Sequence, residues 1–132
     1  FTVLIVIGCK TQSTVKSMDG DVDARFVGVW TGSEKDHQVM GASKEWKISR
    51  KSDGTYKTDF VITYDGEKPV KHTASGRWWL KNGKYYEFNN YSQLTDTYTF
   101  EFLNADQIKF KAYHLSVVYD NDEYEFTDTR VK

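Results

Sequence analysis

Apolar and polar side chains alternate with a period of two along much of this chain. Tyr56, Phe60, Ile62 and Tyr64 share one face of a segment whose other face carries Lys57, Asp59 and Thr63. Tyr98, Phe100 and Phe102 alternate with Thr97, Thr99 and Glu101, and Ile108, Phe110 and Ala112 with Lys109 and Lys111. Tyr124 and Phe126 alternate with Glu123, Glu125 and Thr127. Such alternation marks strands with one face packed inward and one in water. Turn-forming clusters separate them: Ser52-Asp53-Gly54, Asp65-Gly66, Lys81-Asn82-Gly83, Asn104-Ala105-Asp106 and Asp120-Asn121-Asp122.

Together these signals predict strands over residues 26–34, 43–51, 55–64, 70–80, 84–89, 95–103, 107–119 and 123–131. No helical period outlasts a couple of turns, and residues 35–42 read as a loop or one helical turn over a barrel mouth. A second apolar phase at Leu115, Val117 and Tyr119 predicts a bulge near His114. The predicted fold class is therefore all-β, an eight-stranded antiparallel up-and-down meander that removes its edges by closing into a barrel.

Composition sharpens this picture. Nine Tyr, eight Phe and four Trp in 132 residues favour strands and supply a large interior. A net charge of -1 argues against a nucleic-acid partner. No G-x-S-x-G, phosphate loop or cofactor motif is present, so the expected protein is not an enzyme and has no cofactor. His37, His72 and His114 lack the spacing of a metal site. The alternate Asp19, Asp21 and Asp23 resemble the start of a calcium loop, but Ala24 and Trp30 stand where Gly and Glu are required. His72, Glu87, His114, Asp128 and Arg130 fall in the inward phase, where a charge needs a partner. They read either as a polar floor for a ligand head group or as an Asp128–Arg130 pair closing the barrel.

The opening FTVLIVIGCKTQST runs apolar to Gly8, reaches the single cysteine at Cys9, then turns polar. Val6-Ile7-Gly8-Cys9 resembles the lipobox of a bacterial lipoprotein signal. That resemblance implies a lipid on Cys9, a true N-terminus upstream of Phe1 and a bacterial cell-envelope location. The implied organisation is residues 1–9 as signal remnant, 10–25 as a flexible tether and 26–132 as barrel. Two lipid chains would hold such a domain on a membrane. The other reading makes residues 1–8 a buried strand ending in a small apolar cysteine.

Gly28-Val29-Trp30 near the start of the meander and Arg130 near its end resemble the calycin superfamily of lipocalins and fatty-acid-binding proteins. The match is nearest to compact bacterial lipocalin-like lipoproteins. It implies that Trp30 closes one barrel end beneath the Arg130 guanidinium, with Gly28 allowing close approach. An interior lined by Trp46, Ile48, Tyr56, Phe60, Tyr64, Trp78, Tyr98, Phe100, Phe110 and Tyr124 would then hold a small hydrophobic or amphipathic ligand. The alternative is a solid core, with surface rings such as Trp79, Tyr85 or Tyr86, and Tyr91 engaging a protein partner as an inhibitor or immunity-type lipoprotein.

Overall fold

The computed structural model describes residues 14–16, 20–36, 39–116 and 124–132. Its ten strands are β1 (Thr14–Lys16), β2 (Asp21–Asp23), β3 (Gly28–Lys35), β4 (Ala42–Arg50), β5 (Thr55–Tyr64), β6 (Val70–Lys81), β7 (Lys84–Asn89), β8 (Thr95–Asn104), β9 (Gln107–His114) and β10 (Glu125–Arg130). Strands β3 to β10 pair in chain order, each antiparallel to the next, and β10 returns to β3. The result is the expected all-β, closed eight-stranded up-and-down barrel, consistent with a calycin-like fold.

The hairpins follow from their turn residues. Asn82 and Gly83 both take positive φ (53° and 76°), as a two-residue turn between Lys81 and Lys84 requires. The Asp53 carboxylate accepts from the Thr55 amide (2.9 Å), and the Asn104 side chain accepts from the Asp106 amide (2.9 Å). The register of β8 on β9 slips between Thr97 and Tyr98, which pair with His114 and Ala112, so the expected bulge is present. β9 ends at His114, earlier than residue 119, and residues 117–119 and 123 lie outside the described residues. The described part of the 35–42 segment is a turn rather than a helix: the Asp36 side chain accepts from the Gly41 amide (2.7 Å) and the Asp36 amide donates to the Ala42 carbonyl (2.9 Å).

Residues 10–25 read as a tether, yet their described part is built into the sheet. β1 pairs with β2, and Asp21 of β2 pairs with Leu80 beyond the end of β5. Val22 is buried between two acidic neighbours that face out. The chain then makes a 3₁₀ turn over Ala24–Phe26, capped by the Asp23 carboxylate on the Arg25 amide (2.9 Å). Phe26, expected at the head of the first barrel strand, instead fills the barrel base. Its ring lies within 5.0–6.4 Å of those of Trp78, Tyr85, Phe100, Phe102 and Phe110.

Gly28, Trp30 and Arg130 come together at the base. Trp30 is fully buried and donates from Nε1 to the Phe26 carbonyl (2.9 Å). The Arg130 guanidinium stands 4.3 Å above its ring and donates to the carbonyls of Val27 (2.9 Å) and Arg25 (3.0 Å). Gly28 holds φ 135°, and a Cβ there would lie 2.6 Å from Arg130 Nη1, so any side chain would strain the backbone and displace the guanidinium. Arg130→Ala is expected to cost about 1–2 kcal/mol in urea unfolding, because it removes the cation–π contact and two bonds to backbone.

Candidate functional site

Above this base the barrel encloses a cup of about 360 Å³. Lys44, Trp46, Ile48 and Arg50 of β4 occupy one inward phase and descend its wall, while Tyr56, Thr58 and Phe60 of β5 stand beside them. Glu87 and Asn89 of β7, Asp96 and Tyr98 of β8, and Tyr124, Phe126 and Asp128 complete the ring. His72, Thr73 and Ala74 of β6, together with Tyr91, border it on the remaining side.

The expected lining residues separate by depth. Trp46, Ile48, Tyr56, Phe60, Tyr98 and Tyr124 line the cup. Trp78, Phe100 and Phe110 do not: they pack around Phe26 in the layer beneath it. Tyr64, at the far end of the ten-residue β5, is 42% exposed and outside the cup. Gly28, Trp30 and Arg130 meet at the base, outside the cup. Cys9 lies outside the described residues.

The expected Asp128–Arg130 pair does not form. Asp128 is fully buried and accepts from Arg50 Nη2 (2.9 Å) and from Trp46 Nε1 (2.7 Å). Arg130 pairs instead with Asp106 (3.2 Å) at the base. Arg50 also donates from Nε to the Tyr85 hydroxyl (2.9 Å), which donates on to Glu87 (3.4 Å). Arg50 Nη1 is buried and has no hydrogen-bond partner among the described residues. His72 stacks on Phe60 at the mouth (5.1 Å), whereas His114 is exposed on β9 rather than inward. Among the described residues no group of His, Cys, Asp and Glu could hold a metal ion.

Burial and charge set the proton affinities here. Burial drives the Glu87 carboxyl up from 4.5 to about 7, with Asp128 and Asp96 pushing the same way and Arg50 and Lys44 opposing. The Lys44 ammonium is depressed by burial, partly offset by Glu34, Glu87 and Asp96. Burial raises Tyr85 and Tyr56, so both remain hydroxyl donors. Arg50 stays cationic: burial disfavours its charge, but Tyr85 and Asp128 more than compensate. Because the folded chain holds the Glu87 proton more tightly than the unfolded chain, this group's contribution to stability falls as pH rises from about 4.5 to about 7. Unfolding free energies from urea titrations across that window are expected to fall by at most about 3 kcal/mol through this group, and Glu87→Gln to remove its slope.

Arg50, Lys44 and Asp96 line the cup although they were not among the expected site residues. Arg50 was legible in part, since it continues the inward phase of Trp46 and Ile48. Of the expected surface rings, Tyr85 is buried in the core, and Trp79 is covered by Gly20 and stacks on Tyr86 (5.4 Å). Tyr91 alone of that set is fully open, at 98%.

Outside the barrel, β3 and β10 pair only at Thr31–Thr129 and Trp30–Arg130. Above that point a cleft of about 720 Å³ opens, lined by Ser33, Glu45, Lys109 and Glu125 among others, with Trp46 and Phe126 separating it from the cup. The chain matches no family model, and no curated protein matches it in sequence.

Proposed function

We propose that the barrel binds a small amphipathic molecule, with its apolar body against the aromatic wall and its polar end on the charged floor. The observation that carries this reading is the 360 Å³ cup ending on Arg50, whose Nη1 is a buried donor without an acceptor. Buried polar groups are ordinarily satisfied, and ligand pockets are mostly apolar with a few convergent polar groups. The cup favours this reading over a solid barrel acting through its surface, as does the burial of Trp79 and Tyr85.

The lipobox-like stretch supports a lipid on Cys9 and a bacterial lipocalin-like lipoprotein on an envelope membrane. Intact mass of protein from a native host tests that part: a diacylglyceryl mass on a chain starting at Cys9 supports it, and an unmodified chain extending before Cys9 overturns it. Titration of the protein with alkyl amphiphiles, followed by Trp46 fluorescence, tests the cup. Saturable change that is lost in Trp46→Phe is expected; no change with any amphiphile counts against binding.

A further inference from the structure

The cup's charges do not balance. Glu87, Asp96 and Asp128 line it against Lys44 and Arg50, so it holds three carboxylates and two cationic side chains. Asp128 is committed to Arg50 and Trp46 on the floor. Asp96 accepts from the backbone and hydroxyl of Ser116 (both 2.8 Å). Lys44 lies over the rings of Phe60 (5.0 Å) and Trp46 (5.9 Å), and its charge is shared among Glu34 of β3, Glu87 and Asp96. Among the described residues Glu87 meets only the neutral Tyr85 hydroxyl as a donor, at 3.4 Å. It stands directly across the β7–β8 ladder from Asp96, so the two carboxylates repel, and burial together with Asp96 and Asp128 outweighs the pull of Arg50 and Lys44 on Glu87. The other titratable groups of the cup are Tyr56 on β5, His72 on β6, Tyr98 on β8, and Tyr91 and Tyr124.

We propose that the cup binds an organic ammonium ion, with the cationic group between Glu87 and Asp96 and the carbon skeleton against the aromatic wall. This rests on the cup being a binding site and names the class of its ligand. Aromatic faces attract ammonium groups, and Lys44 already uses Phe60 and Trp46 in this way. Tyr98, Tyr124 and Phe126 supply further rings, the last 5.5 Å and 5.4 Å from the other two. The bare Arg50 Nη1 beneath suits a ligand that also carries an acceptor oxygen, such as an ester or hydroxyl. The Glu87 carboxyl near 7 fits the same picture, since a proton there supplies the missing positive charge. An ammonium ion replaces that proton, which leaves to solvent, so affinity falls as pH drops below about 7.

Octyltrimethylammonium, octanol and octanoate share a chain length and differ in charge, and the first does not titrate. Calorimetric titration of the full chain with each is expected to rank the ammonium tightest. Its affinity is expected to fall by up to about tenfold per pH unit below 7. Glu87→Gln is expected to flatten this pH dependence and weaken ammonium binding by about tenfold, and Lys44→Met to strengthen it. Loss of packing alone would weaken both variants. Octanol or octanoate binding as tightly as the ammonium overturns the assignment while the cup remains a binding site. Failure of all three overturns the cup as well.

Discussion

Asp128→Ala is expected to destabilise the barrel by about 3–5 kcal/mol, read from urea denaturation. Asp128 is fully buried and neutralises Arg50, itself 2% exposed. Removing the carboxylate strands a guanidinium that cannot shed its proton and whose Nη1 already lacks a partner. It also takes the acceptor from Trp46 Nε1. The double change Arg50→Met with Asp128→Leu is expected to cost far less than Asp128→Ala alone, because no buried charge is left uncompensated. A loss below about 1 kcal/mol for Asp128→Ala would show that water reaches Arg50 and that the floor is not closed.

Phe26→Ala is expected to cost a similar amount, about 3–5 kcal/mol. Its ring is fully buried and meets five other aromatic rings at the base, so truncation opens a void that β-strands closed around it cannot collapse to fill. Phe102→Ala, at a partly buried ring on the same layer, provides the comparison and is expected to cost less. Equal and small losses for both would mean that residues 20–26 pack loosely against the barrel. Heat denaturation of the two variants beside the parent chain distinguishes these outcomes.

The strands and their turns were legible because both signals are local. Tyr98, Phe100 and Phe102 declare their face by alternation, and Asn82-Gly83 declares its hairpin by the φ values it tolerates. Trp30 and Arg130 were legible as a pair only through the resemblance, and they do meet at the base. Depth was not legible. Alternation tells that Trp46, Trp78, Phe100 and Phe110 point inward, but the level of each depends on how the strands stagger around the barrel. Hence Trp46 lines the cup while the other three pack beneath it. The floor was hidden for the same reason: Arg50 and Asp128 lie 78 positions apart and meet only because β10 closes on β3 and β3 pairs with β4. Local spacing suggested Arg130 as the partner of Asp128, two residues away. Val22 was masked by Asp21 and Asp23, whose charges read as tether although the residue between them is core.

Native mass spectrometry of the gently purified chain tests most directly whether the barrel holds an amphipathic molecule. The expected spectrum carries a small-molecule mass that leaves on collisional activation, and Trp46 fluorescence changes when that molecule is removed and restored. A chain that arrives bare, and stays bare after incubation with octyltrimethylammonium, octanol and octanoate, would contradict it.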